Sequence, residues 1–349
     1  MTTVHRIQFD DSRKLANQDT ESVDLVVTSP PYPMIGMWDE TFDELNPEIA
    51  AALAGLDADR AFELMHRELD QTWQQIFRVL KPGGMACINV GDAVRSISDR
   101  FALYPNHARI LNALTQAGLT ALPGILWRKQ TNAPNKFMGS GMLPPGAYAT
   151  LEHEYILVFR KEPRRKFTTA AQKRNRGESA FFWEERNLWF SDLWTDLKGT
   201  SQVLDEQNAR IRSAAFPFEL PYRLISMFSV KGDTVLDPFA GTGTTMYAAM
   251  AAGRSSIMIE KHASLEDAML SRIRNIVMEA NVRVRTRLDN HLHFVSEREK
   301  NRAPLKHQNT FYGFPVVTRQ EIRLVLDRLE NMEQDADGSF WVHYTAMDL

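Results

Sequence analysis

Five short apolar runs punctuate this chain: "VDLVVT" (Val23 to Thr28), "MACINV" (Met85 to Val90), "YILVF" (Tyr155 to Phe159), "TVLD" (Thr234 to Asp237) and "SIMIE" (Ser256 to Glu260). Runs of this length without polar alternation suit strands buried on both faces, the condition of a parallel sheet covered by helices. The segments between them agree. Ala61 to Leu80, "AFELMHRELDQTWQQIFRVL", spaces its apolar residues by three and four and then meets "KPGG", a helix-stop signal. The alternation predicts an α/β fold with a mostly parallel sheet.

Composition narrows the class. With 349 residues, 44% hydrophobic and 24% charged, the chain has the makeup of a globular protein with a sizeable core. No apolar stretch approaches the roughly 20 residues that span a bilayer, and "MTTVHRIQFDD" lacks the apolar segment of a secretory signal, so a cytoplasmic protein without a membrane partner is expected. Cys87, the single cysteine, is read as a small core residue inside its strand, and no Cys/His cluster has metal-ligand spacing. The formal net charge of -3 means that any nucleic-acid surface must be local.

Two regions break the pattern. From Arg160 to about Arg212 the sequence turns basic and irregular, then aromatic ("FFWEERNLWFSDLW", Phe181 to Trp194), which reads as an insert with a small aromatic core of its own. The remainder after about Asn281 is charged, and Thr318 with Glu321 forms a capping box that predicts a helix from Thr318 to Glu333. The expected organisation is a domain at 1–280 containing an insert at 160–212, followed by a small helical appendage at 281–349.

"TVLDPFAGTGTTMYAAMAAGRSSIMIE" (Thr234 to Glu260) is a strand, a glycine turn, a small-residue helix and a second strand ending in an acid. Glycines let backbone approach a ligand closely, and an acid at the next strand end can accept both hydroxyls of a ribose. No Lys-Ser/Thr follows the glycines, which excludes a phosphate-cradling P-loop. Met246 stands where a dinucleotide fingerprint would have its third glycine, and Asp237 would repel a polyphosphate while welcoming an ammonium. This combination favours S-adenosylmethionine as cofactor.

With "TSPPY" (Thr28 to Tyr32) upstream and "DPFAGTGTT" (Asp237 to Thr245) downstream, the chain resembles the β-group DNA amino-methyltransferases, in which the catalytic half precedes the cofactor half. Further matches are "FDDS" (Phe9 to Ser12), "VLKPGGMACINVGD" (Val79 to Asp92), "HEYILVFRK" (His153 to Lys161) and "AAFPFELPYRLI" (Ala214 to Ile225). The departures are an extra helical stretch at about Phe42 to Asp70, "FDDS" in place of the family's glycine-aspartate pair, and the C-terminal appendage. The resemblance implies a Rossmann-like S-adenosylmethionine-dependent methyltransferase sheet with circularly permuted motif order. It also implies double-stranded DNA as substrate, a restriction-modification context with a cognate endonuclease, and a monomer or homodimer.

The same resemblance implies residue roles. Asp237, Phe239, Gly241 and Gly243 fall at the methionine end of the cofactor, with Pro238 and Thr244 in the same loop. Glu260 takes the ribose hydroxyls, Asp11 the adenine amino group, and Phe216 and Pro217 close over the cofactor. Residues 160–212 become the target-recognition insert, with Arg160, Lys161, Arg164, Arg165, Lys166, Lys173, Arg174 and Arg176 as a phosphate-binding footprint. The Gly/Pro/Asn-rich loop from Thr131 to Tyr148 lies at the catalytic edge, either closing over the flipped nucleotide, entering a groove or only connecting strands.

The proline corner fits amine chemistry. An exocyclic amine is a poor nucleophile until acceptors hold its hydrogens and aim its lone pair. Ser29 supplies one acceptor and the Pro30 carbonyl a second, while Pro30 and Pro31 stiffen the loop and remove backbone donors. Tyr32 offers a face on which an extruded base stacks. Cys87 stands outside any Pro-Cys context, which argues against carbon-5 cytosine chemistry. Asp92 serves either catalysis or a helix cap, and His107 and His153 read as packed or capping residues. "SPPY" resembles the cytosine-N4 enzymes, so N4 methylation leads. Adenine-N6, an RNA or protein amine, and an inactive DNA-binding protein stay open.

Overall fold

The computed structural model describes residues 1–129, 138–199, 216–301 and 304–349. Its centre is a ten-stranded sheet in the spatial order Leu193–Trp194, Thr120–Arg128, His153–Arg160, Leu80–Val90, Val23–Thr28, Thr234–Asp237, Ser255–Glu260, Thr2–Phe9, Phe340–Ala346, Asp327–Gln334. The five strands from Leu80–Val90 to Thr2–Phe9 run parallel, while His153–Arg160 and the two C-terminal strands run antiparallel to their neighbours. All five apolar runs of the sequence lie in strands.

Their lack of polar alternation has the expected cause. Leu25 and Val27 pack on one face of the sheet with Val235, Met258 and the helices Glu219–Phe228 and Thr244–Ala252. Val23 and Val26 pack on the other with Ile88, Leu236, Ile259 and the long helix Ala58–Val79. Neither face meets water, so period two is invisible in the residue types. The helical stretch predicted after the proline corner is present as Asp39–Leu45, Glu48–Ala54 and the first turns of Ala58–Val79. "KPGG" ends that helix as read, but the chain enters its strand at once, at Leu80. Gly83 there has φ +83°, and a Cβ on it would sit 2.4 Å from the Arg165 backbone nitrogen.

Two expectations fail. The predicted helix from Thr318 to Glu333 stops after one turn, Arg319–Glu321. The capping box is real, with Thr318 N and Oγ1 donating to Glu321 at 2.7 and 2.8 Å. The chain then forms a hairpin, Asp327–Gln334 with Phe340–Ala346, turning at Gly338 with φ +83°. It joins the sheet beside Thr2–Phe9. Tyr344 anchors it, its hydroxyl donating to Met250 O at 2.8 Å. A cap satisfies the first amides of a helix and does not determine its length, and here β pairing takes over. The helix of this region is Ile276–Asn301, which precedes the hairpin.

The aromatic stretch also differs from expectation. Phe182 is buried with Val284 and Leu288 of helix Ile276–Asn301 and with Tyr312 and Phe314 of the C-terminal segment, and Arg287 donates to Glu185 at 2.6 and 2.7 Å. Trp194 and Leu197 belong to the main core. The described part of the insert, 160–199, shares its core with the rest of the chain, and 200–212 lie outside the described residues.

Candidate active site

The parallel strands set the site. The strand ends Thr28, Asp237, Val90 and Glu260 lie at one edge of the sheet, where open α/β sheets bind ligands. Thr28 and Asp237 end adjacent strands, and Thr28 Oγ1 donates to Asp237 Oδ1 at 2.5 Å. One hydrogen bond thus joins the strand that carries Ser29–Pro30–Pro31–Tyr32 to the strand that opens the glycine loop.

Asp237 makes internal contacts that the sequence does not reveal. Its carboxylate also accepts from Thr245 Oγ1 at 2.6 Å and Phe239 N at 3.1 Å, and the residue is 1% exposed. Oδ1 thus receives two donors and Oδ2 one, so Asp237 organises the loop from within. Burial raises its carboxyl to about 6, against the lowering effect of the two threonines and the Phe239 amide. Beyond it Pro238 is buried, and Phe239 lies edge-on to Trp73, ring centres 6.1 Å apart. Gly241 has φ +52°, and a Cβ there would meet nothing within 4 Å. Gly243 has φ +78°, and a Cβ there would rest on Met269 Cγ at 3.4 Å. Thr244 opens the next helix. The loop therefore presents open space at Gly241 and packed interior at Gly243.

Glu260 ends the neighbouring strand and accepts from Gly241 N at 2.8 Å and His262 N at 3.0 Å, tying the loop to the strand end. Asp11 is held by Arg13, whose Nη2 donates to Oδ2 at 2.6 Å and whose backbone nitrogen donates to Oδ1 at 2.9 Å. Burial pushes Asp11 up, but the Arg13 hydrogen bonds and charge outweigh it and hold the carboxyl below its ordinary value. Phe216 is buried in the same cluster as Ala240 and Met246, and Pro217 follows it at the start of helix Glu219–Phe228.

At the proline corner Pro30 is buried and Ser29 partly exposed. Tyr32 turns inward: its ring lies 3.1 Å from where a Gly91 Cβ would be, and its hydroxyl meets Ser29 Oγ at 2.9 Å. Three residues to which the sequence reading gave no role complete the cluster. Tyr32 Oη donates to Glu154 Oε2 at 3.0 Å, and Asn89 Nδ2 donates to both at 3.1 and 2.6 Å. Lys129 Nζ donates to Glu154 Oε1 at 2.8 Å. Asn106, also overlooked, donates to Pro33 O and Gly91 O at 3.1 Å, pinning the corner to the end of strand Leu80–Val90. The available signal was a lone polar residue in an apolar run, Asn89 in "MACINV" and Glu154 just before "YILVF".

Asp92 accepts from His107 N at 3.1 Å and His107 Nδ1 at 2.8 Å, at the start of helix Asn106–Gln116. His107 stacks on Tyr155 at 3.8 Å, and His153 packs against the same ring. Cys87 is fully buried, and burial pushes its thiol up, as a core role requires. Of the loop from Thr131 to Tyr148, residues 131–137 lie outside the described residues, and Met138–Gly139 pairs with Ala147–Tyr148.

The basic run lies away from the sheet edge that carries Thr28 and Val90. Arg160 pairs with Met85, in mid-strand, and with Thr120, the first residue of its strand, while Val90 pairs with Tyr155 towards the other end. Lys161 is buried, its Nζ donating to Phe77 O and Leu80 O at 2.9 and 2.8 Å. Arg165 donates to Asp233 at 2.6 and 3.0 Å, just before strand Thr234–Asp237, and Arg160 pairs with Glu162. Arg164, Lys166, Lys173, Arg174 and Arg176 are exposed. Helix Ala170–Glu178, which carries the last three, is tied by Asn175 to Lys231 O at 2.9 Å, again before a strand start. A basic run in sequence reports charge but not direction, and the antiparallel strand His153–Arg160 delivers it away from the proline corner.

The family model of a DNA methylase matches residues 23–270, which include the proline corner, the glycine loop and every residue of the cluster around Tyr32. The chain belongs to the N6/N4 DNA methylase family. Two relatives extend the likeness over nearly the whole methylase. It is 52% identical to the type II methyltransferase M.MthZI of Methanothermobacter thermautotrophicus over 331 residues, 94% of this chain and 92% of that one. It is 46% identical to the type II methyltransferase M.MjaI of Methanocaldococcus jannaschii over 297 residues, 81% of this chain and 96% of that one. Among solved structures it resembles a putative DNA modification methylase of Thermus thermophilus, TTHA0409, crystallised as a complex with S-adenosyl-L-methionine, with a TM-score of 0.60 and 33% identity over 78% of this chain and 94% of that one. The proline corner precedes the glycine loop in the chain, and the sheet pairs the strands that carry them.

Proposed function

We propose that this methylase transfers the methyl group of S-adenosylmethionine to the exocyclic N4 amine of a cytosine extruded from duplex DNA, as the modifying half of a restriction-modification system. The observation that carries the reading is the Thr28 to Asp237 hydrogen bond, which holds an amine acceptor, Ser29, beside the glycine loop. The residues fit the cofactor: open space over Gly241, and a Glu260 carboxylate at the adjoining strand end with lone pairs beyond its two backbone contacts.

S-adenosylmethionine supplies an electrophilic methyl on a sulfonium when bound. Ser29 Oγ accepts one hydrogen of the target amine and Pro30 O the other, favouring a pyramidal nitrogen whose lone pair points at that methyl. The proton released as the nitrogen-carbon bond forms leaves through Ser29 or to water. Glu260 is assigned to the ribose hydroxyls. Phe216 and Pro217 cover the cofactor, and Asp11 with its Arg13 partner borders the adenine. The serine in "SPPY" supports cytosine over adenine, since it matches the pattern of the N4 enzymes.

The test is to incubate the protein with S-adenosylmethionine and unmethylated genomic DNA, then digest to nucleosides for mass spectrometry. N4-methylcytosine is expected. N6-methyladenine would keep the mechanism and overturn the choice of base, and no methylated base would overturn the reading.

A further inference from the structure

Counting protons around Tyr32 gives Glu154 a function that its motif does not reveal. The Glu154 carboxylate is nearly buried and can only accept. Lys129 Nζ takes Oε1 at 2.8 Å, while Oε2 receives Tyr32 Oη at 3.0 Å and Asn89 Nδ2 at 2.6 Å. The Asn89 amide is oriented by this, because its Oδ1 facing a carboxylate would be repelled. The cost is visible: Asn89 Oδ1 is buried and has no hydrogen-bond partner among the described residues, a penalty of about 1–3 kcal/mol. Burial first, and the neighbouring Glu154 charge second, raise the Tyr32 hydroxyl well above its ordinary value, so it keeps its proton.

Tyr32 has that one proton, and Glu154 takes it. In the 2.9 Å contact with Ser29, Tyr32 Oη must therefore accept. The Ser29 proton points inward at Tyr32, and its lone pairs face the partly exposed side where a base would arrive. A hydroxyl by itself donates or accepts with equal ease; this one is committed to accept.

We propose that Glu154 is a positioning and specificity residue: acting through Tyr32, it fixes Ser29 as a pure acceptor, so that the clamp admits the amine of a target base and repels a carbonyl oxygen at the same position. This rests on the amino-methyltransferase reading above. Lys129 holds the carboxylate in place, and Gly91 leaves the room Tyr32 needs to turn inward, since a Cβ there would press on the ring at 3.1 Å.

The test uses the full-length protein with S-adenosylmethionine and genomic DNA, comparing native with E154Q, E154A, Y32F and the Y32F/E154Q double variant. A glutamine fills the same space and keeps the Lys129 contact through its oxygen, so a merely structural role predicts near-native rates for E154Q. The proposal predicts the opposite, because the glutamine amide donates where the carboxylate accepted, so Tyr32 loses the acceptor that holds its proton and Ser29 is no longer committed to accept. For E154Q and E154A, kcat should fall about 100-fold, the scale of one lost preorganised contact. KM for DNA and cofactor affinity by calorimetry should stay close to native in both, while the melting temperature falls in E154A, where Lys129 and Asn89 lose their acceptor, and stays nearer native in E154Q. In Y32F the link is cut, so E154Q should add nothing further to the loss. An E154Q enzyme within about threefold of native kcat, or one whose full loss recurs on top of Y32F, overturns the proposal. Should E154Q not fold, Y32F decides alone, native-like turnover being the refuting result. A native protein that methylates no nucleic acid fails the underlying reading instead, and this inference falls with it.

Discussion

Gly241 and Gly243 sit two residues apart in the same loop, both in the left-handed region, with φ +52° and +78°. Replacing either with alanine imposes the same backbone strain, about 1–2 kcal/mol. In a chain of this size that lowers the melting temperature by about 2–4 °C. The surroundings differ. At Gly243 the new methyl rests on Met269 Cγ and the Tyr247 ring at 3.4 to 3.7 Å, an ordinary contact inside the protein. At Gly241 it meets no protein atom within 4 Å and projects into the space assigned to the cofactor. The two variants should therefore lose similar stability while only Gly241→Ala loses cofactor affinity, by at least about tenfold, or 1.4 kcal/mol. Differential scanning fluorimetry gives the first quantity and titration calorimetry with S-adenosylmethionine the second. Equal affinity for native and Gly241→Ala would refute the assignment of that open space, and a larger affinity loss in Gly243→Ala would move the cofactor to the helix side of the loop.

Three further outcomes are expected. Ser29→Ala should abolish methyl transfer and leave cofactor affinity by calorimetry near native, and an active variant would remove Ser29 from the clamp. Replacing the exposed Arg164, Lys166, Lys173 and Arg174 together with alanine should leave DNA affinity and its salt dependence in filter binding unchanged, because they lie at the strand-start edge; a shallower salt slope would return the DNA surface there. The Asp237 carboxyl is raised from 3.8 to about 6, so the folded state holds its proton more tightly than the unfolded state does, and its contribution to stability is full below about pH 4 and lost as pH rises through 6. Asp237→Asn cannot titrate, so in urea denaturation its stability should rise relative to native between pH 4 and pH 7, by up to about 3 kcal/mol; a pH-independent difference would refute the burial argument.

The elements that were legible in the sequence share a cause. Val23–Thr28 and Thr234–Asp237 are short, apolar and covered on both faces, so local composition carries their structure. The flanking strands were missed where composition is mixed. Thr120–Arg128 and Asp327–Gln334 leave many side chains exposed, and their β structure comes from pairing with distant partners. Thr318 to Glu333 carried a true helix-start signal, yet Leu329 is buried against the main core as part of a hairpin. A cap is a local event and strand pairing is not, which is why the first was read and the second was not.

The sequence by itself determined the α/β class, the parallel centre, the glycine loop and the proline corner, because each depends on residues that are neighbours in the chain. Tertiary structure alone decided which groups face which. It brought Glu154 and Lys129 to Tyr32 across more than ninety residues of chain. It also gave Asp237 three internal donors and carried the basic run to the edge opposite the proline corner. Direction and hydrogen-bond partners are properties of the assembled sheet. A residue's type names the bonds it is able to make, and packing determines which of them are left for a substrate.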